Sequence, residues 1–288
     1  DIPYSHYTSK DYAAREMENL WPHVWQMACR EEHIAEPGDY QVYDIGHLSA
    51  IVTRTESMEI KAYVNACMHR GTALKPPGDN GFCQSFRCPF HGWIYSLDGE
   101  LVEVPESWDF PHVGAETHSL REILVDTWAG FVFVNFDREA EPLEQFLGVL
   151  PEHFKDFDIG DRYIETHVCK RLPVNWKAAE EAFMEAYHVK ETHAGGRDFS
   201  EPVTTYDVYP LNVSRFIHTV GSVNPRMPVP PTEQELLNAM WGRRGANDQA
   251  CPTVPDGVTA RDVYAEVVKK NLGEQYGQDF SHYSTAQT

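Results

Sequence analysis

The sequence predicts an α+β fold: an antiparallel β module inserted in a part of the chain where an antiparallel sheet is mixed with helices. Three observations lead there. Short β-type runs punctuated by Gly and Pro crowd the stretch from Pro37 to about Asp137. Helical periodicities lie on both sides of that stretch. Inside it, two loops each carry one Cys and one His at close spacing.

Ser9 to Trp25 predicts an amphipathic helix, because Tyr12, Met17, Leu20, Trp21 and Val24 recur at roughly helical spacing behind Ser9 as a cap. Pro37-Gly38 breaks the chain. Runs at Tyr40–Ile45, Ser49–Arg54 and Glu59–Val64, divided by Gly46 and by Glu56-Ser57, have a hairpin rhythm. Ile94–Tyr95, Leu101–Val104 and Phe131–Phe136 continue it, with Gly and Pro at the turns. The character changes near Asp137. Leu143 to Phe157 predicts a helix, Tyr163–Arg171 a strand, and Trp176 to Thr192 the strongest helix of the sequence. Strands at Thr204–Tyr209 and Val213–Val220 follow, then a Pro-rich loop from Val223 to Pro231, then helices at Glu233–Trp241 and Arg261–Leu272. No internal repeat or low-complexity segment interrupts the order.

A length of 288 residues allows one large domain or two smaller ones, and 42% hydrophobic residues argue against global disorder. Lys and Arg total 24 against 44 Asp and Glu, a net charge of −20 that repels phosphate backbones, so no nucleic-acid partner is expected. Apolar runs such as Gly130 to Phe136 are too short to span a bilayer, and no charged-then-apolar signal segment opens the chain. No membrane association is expected. Of six cysteines, at 29, 67, 83, 88, 169 and 251, two fall in Cys-x-His and Cys-x-x-His pairs. That points to metal in a reducing compartment, and so to the cytoplasm.

The pairs stand as Cys67-Met68-His69-Arg70-Gly71 and Cys88-Pro89-Phe90-His91-Gly92-Trp93. Two Cys and two His also suit tetrahedral zinc, but zinc fingers group like ligands together, whereas each loop here mixes them. Mixed loops fit a two-iron cluster in which one iron takes both thiolates and the other both imidazoles. The stretch from Cys67 to Gly99, with Trp93, Tyr95 and the Asp98-Gly99 turn, resembles the Rieske family. Respiratory members of that family carry an extra cysteine in each loop, joined as a disulfide. Thr72 and Phe90 stand at those positions, so the resemblance is to the lower-potential ferredoxin and oxygenase branch. Cys83 is read as a bland thiol.

Further on, Glu181, Glu185 and His188 recur at i, i+4 and i+7, one helical face, and His193 follows before Ala194-Gly195-Gly196. Two histidines and a carboxylate with open positions make the facial site of non-haem Fe(II) oxygenases. Asn175-Trp176-Lys177 followed by Glu-x-x-His-x-x-x-x-His resembles the catalytic segment of Rieske oxygenase α subunits, the aromatic-ring-hydroxylating kind. The resemblance implies that His188 and His193 bind mononuclear iron. It makes Glu185 the acid that links His188 to a Rieske histidine of the neighbouring subunit. Two departures stand out: the bridge is usually Asp, and Glu181 replaces an Asn common in relatives. The family's third ligand is an Asp well over a hundred residues past the second His. Only 95 residues follow His193, and Asp207, Asp248, Asp256, Asp262 and Asp279 all lie elsewhere than the family's position. The sequence is therefore expected to be part of a longer α subunit.

The resemblance implies a Rieske [2Fe–2S] domain at about 38–137, inserted in a mononuclear-iron catalytic domain formed by 1–37 and 138–288. It implies a mono- or dioxygenase that activates O₂ at Fe(II) and hydroxylates, dihydroxylates or demethylates an aromatic or lipophilic small molecule. Electrons come from NAD(P)H through a separate reductase, in some members with a ferredoxin between, and the assembly is a homotrimer or α3β3. Phe183 and Met184 are expected near the substrate. The alternatives are a Rieske-type electron carrier without chemistry of its own, and a regulatory protein that kept the cluster and lost the iron.

Overall fold

Ser9 begins the first helix of any length. Its Oγ accepts the Tyr12 N–H at 3.2 Å and so caps α2 (Lys10–Asn19), which follows the single turn α1 (Ser5–Thr8). The helix stops short of the expected Trp25 because Pro22 disfavours a helical Trp21, and Trp25 is instead buried against Leu143 and Leu147. The computed structural model describes residues 2–188, 192, 203–210, 213–219, 221–222, 228–241 and 250–285. They fall into two units, 1–171 and 172–288. Among the described residues no helix is long and apolar enough to cross a membrane.

The first unit is a stack of antiparallel sheets. Its centre is a four-stranded sheet, β4 (Ile60–Val64), β3 (Leu48–Arg54), β2 (Asp39–Ile45) and β5 (Asn80–Phe82), in that order. The sequence placed β2, β3 and β4 within a residue, since the hairpin at Gly46 sets their register, with Tyr43 opposite Ala50. On one face lie β1 (Gln26–Arg30), β10 (Phe131–Asn135) and β9 (Leu124–Trp128), with β10 in the middle. On the other face lies a small sheet of β6 (Phe86–Arg87), β7 (Ile94–Tyr95) and β8 (Leu101–Glu103).

Strand β3 serves two cores. Ile51 faces the core of Tyr63, Phe86, Trp93, Tyr95 and the cysteines Cys67 and Cys88. Ala50 and Val52 face Cys29, Ile34, Val132 and Val134 on the other side. A strand buried on both faces reads as an unbroken apolar run, as Ala50-Ile51-Val52 does. α3 (Ala115–His118) closes onto β8, where Ser119 Oγ accepts the Leu101 N–H at 3.1 Å. The expected helix over Leu143 to Phe157 is two short ones, α4 (Leu143–Leu147) and α5 (Leu150–Phe154), interrupted at Gly148.

Two expectations past Arg162 are corrected. Tyr163–Arg171 is not a strand: it is irregular and mostly exposed, and a strand without a hydrogen-bonded neighbour has nothing to hold it. The long helix expected over Trp176 to Thr192 is also broken: 182–188 are turns and irregular chain, and 189–191 lie outside the described residues. In the second unit α6 spans only Trp176–Glu181, capped by Asn175 Oδ1 on the Lys177 N–H at 3.0 Å. Its last turn holds Glu180 and Glu181 and no basic residue, the wrong charge for a helix C-terminus. Phe183 and Tyr187 beyond it are exposed, so the segment lacks the packing that sustains most helices.

β11 (Val203–Val208) pairs with β12 (Ser214–Thr219) as the two strand runs predicted. α7 (Glu233–Trp241) matches its prediction, and α8 (Ala260–Tyr276) overruns its own by a turn. These two helices share a core of Leu236, Leu237 and Ala260.

Because Ile51 is fully buried at the centre of the first unit, Ile51→Ala should destabilise it by about 2–5 kcal/mol. Val102→Ala, on exposed β8, should stay within about 0.5 kcal/mol. Urea denaturation followed by Trp fluorescence measures both, and equal midpoints would contradict the packing described.

Candidate metal centres

The two Cys/His loops are built alike. In the first, the Cys67 N–H donates to the Thr72 carbonyl and the Gly71 N–H to the Cys67 carbonyl, both at 2.8 Å. In the second, the Cys88 N–H donates to the Trp93 carbonyl at 2.8 Å and the Gly92 N–H to the Cys88 carbonyl at 3.1 Å. Each loop turns back at a glycine with positive φ, Gly71 at 74° and Gly92 at 76°. A side chain there is strained, which accounts for the glycine after each histidine.

This closure sorts the four side chains by depth. Cys67 and Cys88 are 3% and 2% exposed and belong to the core, whereas His69 is half-buried and His91 exposed. The imidazoles meet edge to edge, Nδ1 to Nδ1 at 3.1 Å, with ring centroids 4.6 Å apart. Cys88 is also the near neighbour that acts on the Cys67 thiol. The four thus come together as a thiol pair and an imidazole pair. Two pairs are what a two-iron cluster with mixed ligation needs, so the donor set fits that group.

The surroundings suit ligation. Tyr95 O–H lies 3.2 Å from Cys67 Sγ and accepts the Met68 N–H at 3.0 Å. Burial, the largest influence, leaves the Cys67 thiol pKa raised, and the Tyr95 hydrogen bond offsets part of that rise. Desolvation and then the neighbouring His91 hold His69 below the usual imidazole range, which keeps it neutral and able to coordinate. Trp93 stacks on His69 with centroids 4.8 Å apart and planes 8° from parallel.

Asn65, missed in the sequence, ties down the first loop. Its Oδ1 accepts the Leu74 and Lys75 N–H groups at 3.0 Å each, and its Nδ2 donates to Ser49 Oγ at 3.0 Å and the Lys75 carbonyl at 2.8 Å. Its loop partners lie nine and ten residues away, so no local pattern announces it. The other thiols stand apart. Burial pushes Cys29 up to about 12, Cys83 packs beside the cluster core, and no disulfide joins any of the six.

The second constellation is only partly described. Glu181, Glu185 and His188 do not share a helical face, since α6 ends at Glu181. The three-residue spacing still works through a turn: Glu185 Oε1 is hydrogen-bonded to His188 Nδ1, and Oε2 accepts the N–H groups of Tyr187 and His188. The His188 hydrogen bond, more than any other influence, holds the Glu185 carboxyl below the usual carboxylate range. A carboxylate on Nδ1 leaves the ring lone pair on Nε2, the arrangement of a metal-binding imidazole with an outer carboxylate.

His193 and Asp248 lie outside the described residues. Asp207 pairs with Arg215, whose Nε donates at 3.0 Å. Asp262 caps α8 with Thr259 and takes the Thr285 hydroxyl at 3.0 Å, Asp279 accepts the Ser281 N–H at 2.8 Å, and Asp256 is exposed in a turn. Local structure engages three of these four. Phe183 and Met184, expected near a substrate, are exposed.

Two family models match the chain. The Rieske [2Fe-2S] domain covers residues 24–113 and the ring hydroxylating alpha subunit catalytic domain covers 157–266. Chlorobenzene dioxygenase subunit alpha of Cupriavidus sp. (strain PS12) is 33% identical over 66% of this chain and 44% of its own length. Biphenyl 2,3-dioxygenase subunit alpha of Rhodococcus jostii (strain RHA1) is 30% identical over 83% of this chain and 50% of its own. A crystal structure of a quaternary ammonium Rieske monooxygenase superposes with a TM-score of 0.69 at 25% identity, covering 76% of this chain and 62% of that one. The chain spans about half the length of the curated relatives it matches.

A hydrogen bond to a ligand sulfur stabilises the more negative, reduced cluster and so raises its potential. Tyr95→Phe should therefore keep the cluster and lower its potential by about 40 mV, the equivalent of one hydrogen bond of about 1 kcal/mol in a one-electron couple. Redox titration of the visible absorption measures the change; an unaltered potential would remove Tyr95 from that role.

Proposed function

Since the chain belongs to the Rieske non-haem iron oxygenase α-subunit family, we propose that it is the oxygenase component of a multi-protein mono- or dioxygenase. It acts on an aromatic or lipophilic small molecule with electrons drawn from NAD(P)H by a separate reductase, directly or through a ferredoxin. The observation that carries this reading is the catalytic-domain match at 157–266, downstream of the cluster loops. An electron carrier alone has no use for that second domain. Aromatic dioxygenases among the relatives favour aromatic substrates. The likeness to a quaternary ammonium monooxygenase makes quaternary ammonium compounds the second class to assay.

In this reading the Rieske module occupies about 38–137, and 1–37 with 138–288 belong to the catalytic part. Cys67 and Cys88 hold one cluster iron, His69 and His91 the other, and His188 and His193 hold the mononuclear iron. When bound, the cluster supplies single electrons and the mononuclear Fe(II) supplies the site for O₂ activation. Glu185 is the positioning residue between them. It accepts three hydrogen bonds within its own segment, and a carboxylate has about four lone-pair sites. One site therefore remains for the partner's His91, whose exposed ring can reach a neighbour. Such a head-to-tail contact closes naturally as a ring, in a homotrimer or an α3β3 assembly in the cytoplasm.

The His188 hydrogen bond lowers the Glu185 pKa, so the stabilisation it lends is present above the ordinary carboxylate pKa and lost as pH falls through the lowered one. The acid thus stays ionised across neutral and mildly acidic pH.

His188→Ala and His193→Ala should each remove one iron per chain and leave the cluster spectrum unchanged. Full iron content with full oxygenation in both variants would reduce this segment to a polar turn. Glu185→Gln should keep both metals and slow reoxidation of the reduced cluster, in single turnover with substrate and O₂, on the order of 10- to 100-fold. Reoxidation at the unaltered rate would end the bridging role.

A further inference from the structure

Two histidines outside both metal-ligand constellations, His112 and His118, are brought together by tight turns. The Val113 N–H donates to the Phe110 carbonyl at 3.0 Å, and the His118 N–H to the Gly114 carbonyl at 2.9 Å. Val113, between the two turns, packs against the core that holds Cys67 and Cys88. Across this fold the two imidazoles stand with ring centroids 6.4 Å apart and planes 69° from parallel. Two imidazoles on one tetrahedral zinc ion hold their centroids roughly 5 Å apart. His112 is exposed, so a turn of its side chain closes the remaining gap without moving the core.

The His118 ring is already prepared for a metal. Thr117 Oγ1 lies 2.7 Å from His118 Nδ1 and 3.3 Å from the Gly114 carbonyl. With its own hydrogen donated to that carbonyl, the hydroxyl accepts the Nδ1–H, and Nε2 keeps the ring lone pair. Metal-binding histidines are held in their tautomer by an outer acceptor in this way. His118 also stands edge-on to Trp93, centroids 5.9 Å apart, which restricts its swing. Charge favours a cation here. Glu103, Glu106, Asp109 and Glu116, all exposed, occupy the same stretch of chain, in a protein of net charge −20. Among the described residues no third His, Cys, Asp or Glu completes a metal-binding group with the pair, so water takes the other positions.

We propose that His112 and His118 form a binding site for a divalent zinc-class metal ion, separate from the cluster and the mononuclear iron, and that its occupancy raises the cluster potential. An imidazole pair selects zinc, copper or nickel over magnesium and calcium, which take oxygen ligands. Both rings bind as neutral donors. The incoming ion gives up two waters, and no proton or electron changes hands. Trp93 neighbours both His118 and His69, with centroids 5.9 and 4.8 Å away. A double positive charge on His118 therefore acts on the cluster at short range and favours its reduced, more negative form. Binding itself is independent of the oxygenase reading; only the shift in potential needs the cluster.

Calorimetry with zinc chloride tests the site in the full chain loaded with cluster and ferrous iron, so that the other proposed metal centres are already filled. One zinc per chain should bind in addition, with iron content unchanged and no matching uptake of magnesium. His112→Ala and His118→Ala should each weaken zinc binding by about 10-fold or more. His112→Cys, which keeps a zinc donor at an exposed position, should retain most of it. In a redox titration of the visible absorption, zinc should raise the potential of the unaltered chain and leave that of His118→Ala where it was. Zinc binding that both alanine variants retain in full overturns the site. Equal binding of magnesium overturns it too, as does zinc that enters only by displacing iron. A zinc-bound chain whose potential does not move overturns the link to the cluster. None of these outcomes depends on whether the chain oxygenates a substrate.

Discussion

Two backbone hydrogen bonds close each ligand loop around a glycine, and the rest of the first unit is organised about that closure. It directs each cysteine inward and each histidine outward. The inward pair joins the core that includes Ile51, Phe86, Trp93 and Tyr95, so the packing of the central sheet and the placing of the proposed ligands are one problem. Asn65 extends the same logic. Four hydrogen bonds from one nearly buried side chain fix the far end of the first loop to the sheet. A buried amide with every partner satisfied rigidifies, whereas a half-satisfied one would weaken the core.

What could be read in advance follows from how local the causes are. β2, β3 and β4 were legible because alternation and the Gly46 turn act over a few residues, and α7 because its apolar period is short and self-contained. Strand β1 was not. Gln26-Met27-Ala28-Cys29-Arg30 has little β character, and it is a strand because β10 supplies a partner, with a bulge between Met27 and Cys29. The reverse error occurred at Tyr163–Arg171 and over 182–188, where residues with strand or helix periodicity form neither element. Periodicity proposes an element, but tertiary contact decides it.

The sites divide along the same line. Both Cys/His loops were visible because their spacing is the cause of their geometry. Glu185 and His188 were picked out on the premise of a helix that is absent, and they meet all the same. A three-residue separation serves a turn as well as a helix, and the acid reaches the ring by way of its own backbone contacts at Tyr187 and His188. Asn65 was invisible because its partners are far from it in sequence.

The electrostatics of the cluster region follow from setting depth against charge. Adding an electron to a site in a chain of net charge −20 is opposed by the long-range field, and burying the thiolates adds to that opposition. The surrounding residues act the other way. Tyr95 is hydrogen-bonded to Cys67, the proposed outward ligands are imidazoles rather than thiolates, and Arg70 and His118 are among the groups that act on His69. Each of these favours the reduced state locally, where distances are short and screening is weak. The diffuse negative charge of the remainder is largely screened beyond about 8–10 Å at ordinary salt.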